Sequence, residues 1–312
     1  MAAVTLLAPT ASAQPPGFDL QAHRGGRGET TEESLRAFAK SIELGVTTLE
    51  FDIVLTEDGQ PLVWHDATIE PEKCSDTAAA FPHDPRYPYV GKLVHDLTLA
   101  QIRTLDCGKR LPDFPDAEVL RGNRIAVLPE VFALADSYRA DIRYNIETKV
   151  EADRPADSAD PQQFVDVILA AVRAAGKADR VEIQSFDWRT LPLVRRADPL
   201  IPLAALWDHT TWVPDSPWLN GVDPAFVGDP LVGARLVGAD TASPDYTLVD
   251  KAFVDRAHAL GLRVIPWTVD DAADMRDQIA DGVDGLITDY PTLARSVMAG
   301  LGMPLPPAYH RN

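Results

Sequence analysis

Thr48-Leu49-Glu50-Phe51-Asp52-Ile53-Val54-Leu55 is the stretch on which the fold turns. It reads as a strand, and it follows another around Leu20 to His23 with a helix from Glu32 to Leu44 between them. Strand, helix, strand over one core predicts parallel pairing with right-handed crossovers. The same alternation fills the chain beyond residue 140. Arg143 to Lys149 reads as a strand, Pro161 to Ala175 as a helix with proline in its first turn, and Val181 to Phe186 as the next strand. A helix from Asp187 to Arg196 follows, then weaker strand candidates at Ile201 to Leu206 and Ala225 to Gly228. The helix Leu248 to Leu260 stops at Gly261 before a strand, Arg263 to Trp267. A helix from Asp271 to Asp281, a strand from Gly285 to Asp289 and a last helix opened by Pro291 complete the series. Eight such units in 312 residues predict a TIM (β/α)8 barrel in the α/β class. No glycine-rich dinucleotide loop favours a doubly wound sheet instead.

The rhythm breaks from Glu70 to Asn123, a segment rich in proline, aspartate and tyrosine that holds both cysteines. It reads as an insertion of about residues 70–123 after the second strand unit, lying over the barrel face where post-strand loops gather. The barrel is expected to span 17–302, after a leader of 1–16 and before a tail of 303–312. Met1 to Ala13 ends on Ala11-Ser12-Ala13 and reads either as the end of a secretory signal or as an apolar tail. The signal reading places the protein outside the cytoplasm, secreted or periplasmic. Cys74 and Cys107 then make a disulfide plausible, with two free thiols as the alternative. Two thiols without further nearby ligands do not make a closed zinc site.

With 46% hydrophobic and 24% charged residues the composition is that of a globular protein. A net charge of −18 argues against a sequence-independent nucleic-acid partner and against tight docking on anionic lipid. No stretch approaches the ~18 apolar residues of a membrane span, so no stable membrane insertion is expected.

Chemistry-bearing residues gather at the strand ends. Glu50 and Asp52 are two apart and leave one face of their strand, and Asn145, Glu147 and Lys149 obey the same rule on another. A lone Glu-x-Asp is usually a solvated strand end. Three carboxylates meeting at one barrel mouth would repel each other unless a cation sits among them, and oxygen ligands without sulfur favour Mg²⁺ or Ca²⁺. His23 and His65 each end an apolar strand segment, where a pair of imidazoles can run as acid and base. Asp66 follows His65, and Asp52 is expected to face His23. Arg24 has the planar fork suited to a phosphate oxygen, with a surface ion pair as its alternative. This inventory matches what metal-assisted phosphodiester chemistry requires. Trp267 reads as a pocket wall or as barrel core. Trp207, Trp212 and Trp218 read as a pocket entrance or as packing, and Asp289 as the cap of the last helix. The remaining histidines carry no assigned role.

These residues, in order, resemble the glycerophosphodiester phosphodiesterase family. The matching elements are His23-Arg24-Gly25, Glu32, Ala37-Phe38, Gly45, Glu50-Phe51-Asp52, Thr56-Glu57-Asp58-Gly59 and His65-Asp66. Further on come Asn145 to Lys149, Gln184-Ser185-Phe186, Trp267-Thr268-Val269 and Gly282 to Asp289. The resemblance implies a TIM barrel that hydrolyses glycerophosphodiesters to glycerol 3-phosphate and an alcohol with one divalent cation. It casts His23 and His65 as the acid–base pair and Glu50, Asp52 and Glu147 as metal ligands. Arg24 and Lys149 fall where phosphate contacts are expected, and Glu32 is carried over as a substrate contact. The chain departs at Thr31-Glu32-Glu33-Ser34, where the family has Glu-Asn-Thr after a proline; an acid where Asn is usual bears on the metal or glycerol contacts. It also has Ala126-Val127-Leu128-Pro129-Glu130 where Pro-Thr-Leu-Glu-Glu is frequent, a matter of scaffold. Two other functions fit the inventory. One is a phospholipase D or C type enzyme acting on lysophospholipid or lipid headgroups; the other is an exported phosphodiester-binding protein without turnover.

Overall fold

The computed structural model describes residues 17–311, so the leader lies outside the described residues. Nine strands form one sheet: β1 (Asp19–Ala22), β2 (Thr48–Leu55), β3 (Pro61–Val63), β4 (Arg143–Thr148), β5 (Val181–Ser185), β6 (Leu203–Trp207), β7 (Thr241–Pro244), β8 (Arg263–Val264) and β9 (Gly285–Thr288). Eight are parallel neighbours in the order β8-β7-β6-β5-β4-β2-β1-β9, and β3 is an antiparallel hairpin on β2. The Asp284 N–H donates to Val264 O at 2.8 Å and the Ile287 N–H to Pro266 O at 3.0 Å, which closes the ring between β9 and the β8 side. The architecture is a TIM barrel.

Among the described residues ten α-helices accompany the strands: α1 (Leu35–Leu44), α2 (Leu99–Ile102), α3 (Leu128–Ser137), α4 (Pro161–Ala174), α5 (Thr190–Ala197), α6 (Pro224–Val227), α7 (Pro230–Leu236), α8 (Lys251–Ala259), α9 (Ala272–Asp281) and α10 (Pro291–Gly300). Aspartates carry much of the capping. Asp160, Asp223, Asp229, Asp250 and Asp271 each accept a backbone N–H at the start of a helix. A carboxylate there satisfies an orphan donor and meets the positive end of the helix dipole, so part of the acidic excess serves the fold. No helix among the described residues is long and apolar enough to cross a membrane.

Two expectations are corrected. Ala225 to Gly228 is not a strand: Asp223 caps and Pro224 opens the short helix α6 there. The sixth parallel strand is Thr241-Ala242-Ser243-Pro244, whose small side chains give no β signal. Helix α1 also begins at Leu35, not Glu32, because Ser34 is its N-cap and Glu33 is left-handed (φ 53°).

The main core lies between the barrel and its helices, and a second apolar cluster lies under the insertion. The second joins Val54, Leu62 and Trp64 of the barrel side to Tyr89, Val94 and Ile102 of the insertion. Cys74 and Cys107 are bonded within it. Within the barrel, one half is polar. Asn145 Nδ2 donates to Gln21 Oε1 at 2.8 Å and to Gln184 Oε1 at 2.9 Å, while Gln184 Nε2 donates to Glu50 Oε1 at 2.7 Å. This buried lattice holds the acids above it in place.

Candidate active site

The site stands at the C-terminal ends of β1, β2, β4 and β5. Parallel register sets Asp52 beside Glu147 and Glu147 beside Gln184. Glu50, Asp52 and Glu147 are buried, and one oxygen from each lies within 4.8 Å of the others. Burial, with Asp52 nearby, pushes the Glu50 carboxyl up to about 7 and the Glu147 carboxyl to about 8. Asp52 is held low against its burial by His65, Lys149 and Arg24. Such a set is short of positive charge. Asp52 Oδ2 is moreover a buried atom without a hydrogen-bond partner. Three hard oxygens and an orphaned lone pair fit a divalent cation.

His23 follows β1 directly and opens a tight turn, His23–Gly25. Glu50 Oε2 accepts the Arg24 N–H at 2.9 Å, which ties that turn to β2. Gly25 is required here: its φ is 78°, and a Cβ would stand 2.9 Å from the Phe38 ring. The partner of His23 is Asp289, not Asp52: Nδ1 and Asp289 Oδ1 are 2.5 Å apart. Asp289 is therefore not the cap of α10, whose N-cap is Tyr290. Pairing of β1 with β9, Ala22 opposite Thr288, puts the two side by side. Burial works against charging His23, but Asp289 by charge and hydrogen bond, backed by Glu50, outweighs it and raises its pKa. Asp270 accepts the Asp289 N–H at 2.8 Å, and burial together with Asp289 pushes its own carboxyl up to about 6.

His65 stands in the opposite setting. Its Nδ1 lies 2.9 Å from Asp66 Oδ1 and its Nε2 lies 3.0 Å from Lys149 Nζ. An ammonium can only donate, so Nε2 offers a lone pair and Nδ1 carries the proton toward Asp66. Burial, then Lys149 and Arg24, hold the imidazole well below its ordinary pKa. Lys149 also lies 2.9 Å from Glu147 Oε1, so it supplies positive charge to the acids.

His23, Arg24, Glu50, His65, Glu147, Lys149 and Trp267 line one cleft, with Phe186 edge-on to Trp267 at 5.2 Å. Trp267 is thus a wall. Glu32 faces a neighbouring cleft and is wrapped by cations: Arg27 at 2.9 Å, Lys73 at 2.6 Å and Arg24 at 3.4 Å. Arg24 also lies 3.3 Å from Asp52. Trp207 and Trp212 pack against Trp188 and form no entrance to the cleft. Glu33, the departure from the family pattern, is buried beside β2 and accepts the Asp52 N–H at 2.9 Å.

Sequence reasoning missed Asp289, Lys73 and Gln184 as parts of the site. Lys73 bridges Glu32 and Asp66, the latter at 2.5 Å, from a loop with no periodic signal. For Asp289 a signal existed, because it ends a strand at the same level as His23.

The family model described as "Glycerophosphoryl diester phosphodiesterase family" matches residues 23–293. A glycerophosphodiester phosphodiesterase of Caldanaerobacter subterraneus subsp. tengcongensis is 28% identical over 281 residues, 89% of this chain and 97% of that protein. One from Bacillus subtilis is 27% identical, over 89% of this chain and 86% of its own. Among solved structures, a putative glycerophosphoryl diester phosphodiesterase from Silicibacter pomeroyi superposes with a TM-score of 0.79 at 28% identity, covering 94% of this chain and 99% of that one. With a match across nearly the whole barrel, the chain belongs to the glycerophosphoryl diester phosphodiesterase family and is an enzyme of that class.

Proposed function

We propose that the chain hydrolyses glycerophosphodiesters to glycerol 3-phosphate and an alcohol with one Mg²⁺ or Ca²⁺ and two histidines in opposite charge settings, one with its pKa raised and one with it lowered. The carrying observation is that Glu50, Asp52 and Glu147 meet within 4.8 Å in the cleft that both imidazoles line. Glu50, Asp52 and Glu147 would hold the cation. Bound there, it would supply Lewis-acid stabilisation of charge developing on the phosphate oxygens. Arg24 and Lys149 line the same cleft and offer donors to the remaining oxygens. His65, its Nε2 unprotonated, accepts the proton of the attacking hydroxyl as that oxygen bonds to phosphorus; water gives glycerol 3-phosphate directly, whereas the glycerol 2-hydroxyl gives a cyclic phosphate that a water molecule then opens. His23, charged beside Asp289, gives its proton to the departing alcohol oxygen as the P–O bond breaks. Trp267 and Phe186 wall the cleft and limit water.

Support for an oxidising, extracytoplasmic location comes from the Cys74–Cys107 bond. The test is release of glycerol 3-phosphate from several glycerophosphodiesters with chelator and metal add-back. Turnover should vanish in chelator and return with Mg²⁺ or Ca²⁺. His23→Ala and His65→Ala should each lower the rate by roughly 10²–10⁴ in a folded protein. Near-wild-type rates in either variant, or turnover indifferent to chelator, would sink the reading. Binding without turnover would leave a capture protein instead, and preference for lysophosphatidylcholine would favour the lipid-directed alternative.

A further inference from the structure

Arg27 lines the catalytic cleft and also a second, narrow cleft that opens to solvent between the first strand's loop and the insertion. Trp64 and Phe114 give this second cleft two aromatic walls, and Arg27, Lys73, Lys109 and Arg110 bring four bases to it. Its two acids are spoken for. Glu32 is bound by Arg24, Arg27 and Lys73, and Glu118 pairs with Arg36 at 3.1 Å. Lys109 Nζ donates only to the Pro71 carbonyl at 2.7 Å, and Arg110 only to the carbonyls of Pro115 and Ala117. Among the described residues neither base has a carboxylate partner. In a chain with 47 acids against 29 bases, two adjacent bases without an acid run against the composition.

The aromatic walls sharpen the sign. A quaternary ammonium is held by open ring faces. Here the guanidinium of Arg27 covers Phe114 at 4.7 Å and Lys73 Nζ covers Trp64 at 5.0 Å. A cationic guest would meet like charge where it needs a ring. An anionic guest would meet Lys109 and Arg110, both open to solvent.

We propose that this cleft is the subsite for the alcohol half of the diester. It selects alcohols that carry a phosphate or carboxylate and disfavours cationic ones such as choline. The inference rests on the phosphodiesterase reading above. Its place is set by the insertion: the Lys109 N–H donates to the Lys73 carbonyl at 3.2 Å, beside the Cys74–Cys107 bond.

The test compares bis(glycerophospho)glycerol, whose alcohol bears a second phosphodiester, with glycerophosphocholine. Both are run on the wild type and on Lys109→Gln/Arg110→Gln, with folding checked by thermal melting. The wild type should favour the anionic substrate about tenfold in kcat/KM, through KM, and the preference should shrink at high salt. The double variant should lose most of that preference, because kcat/KM falls on the anionic diester while that on glycerophosphocholine does not fall with it. A wild-type preference for glycerophosphocholine, or a variant that slows both diesters equally, overturns the inference while leaving the phosphodiesterase reading intact. If neither diester is cleaved, that reading fails by itself, and calorimetric binding of the two compounds judges the cleft. Tighter binding of the anionic compound that the double variant removes supports the subsite; equal binding by both proteins overturns it.

Discussion

The barrel and the insertion solve the same folding problem by different means. The barrel repeats one strand–helix unit, pairs its backbone in ladders and buries apolar side chains between strands and helices. The insertion has one short helical turn, Val94–Asp96, and the four-residue α2. It stands on a small apolar cluster, isolated bridges such as Ser75 with Asp106, and one covalent bond. The barrel can therefore carry an unfavourable feature, three buried carboxylates, on a core that does not depend on them. The insertion has no such reserve, and its cross-links decide whether its bases stay where the cleft needs them.

The largest expected effect breaks the two apart on the barrel side. Glu147→Gln removes a proposed cation ligand and should lower turnover by about 10²–10³, as loss of several kcal/mol of charge stabilisation requires. It also removes a buried acid whose charge is disfavoured by burial, so the melting temperature in chelator should stay level or rise. A variant that melts far below wild type in chelator would show that the acids are structural.

On the insertion side, Cys74→Ser/Cys107→Ser should lower stability by about 3 kcal/mol, because the bond closes a segment of sequence separation 33. Amide exchange should speed up first in residues 70–123 and leave β4 and β5 protected. Uniform loss of protection across barrel and insertion would contradict the division.

A smaller effect separates the two histidines. Asp289→Asn keeps the shape beside His23 but removes the charge that raises its pKa, and should lower kcat about 10–100-fold with little change in KM. The alkaline limb of the pH–rate profile should move to lower pH. The corresponding change at His65, Asp66→Asn, should not shift that limb; if both variants shift it alike, the acid–base assignment falls.

The smallest effect is a pH dependence of cation binding. The folded chain keeps protons on Glu50 and Glu147 up to about pH 7 and about pH 8, whereas the unfolded chain loses them near 4.5. More protons bound in the folded state means that the metal-free protein loses stability as pH rises through that window. A cation replaces those protons, so its affinity should rise about tenfold or more between pH 6 and pH 8. Thermal-shift titration with Mg²⁺ and Ca²⁺ checks this, and affinity independent of pH would contradict it.

Much of this was legible in the residues. Periodicity placed β1, β2, β4, β5 and β9 to within about a residue, since long buried strands need β-branched and apolar side chains in sequence. The i, i+2 rule put Glu50 with Asp52, and Asn145 with Glu147 and Lys149, on shared faces. Two elements escaped for opposite reasons. Thr241 to Pro244 is a strand held by its neighbours and not by its own propensity, and Pro224 to Val227 is a helix that only its aspartate cap and proline announce. Asp289 reads locally as a cap because a strand-end aspartate before Tyr-Pro suits that role; its bond to His23 spans 266 residues and depends on β1 lying next to β9.

Sequence alone thus determined the repeating units, the barrel they imply and the cast of histidines and acids, because these follow from periodicities of two and 3.6 residues. Only the tertiary structure decided the partners. Ring closure and strand register set Asp52 beside Glu147, His23 against Asp289 and His65 under Lys149. The folding of an aperiodic insertion brought Lys73, Lys109 and Arg110 to one cleft. Charges and proton positions depend on through-space neighbours, and no local pattern in the chain encodes those.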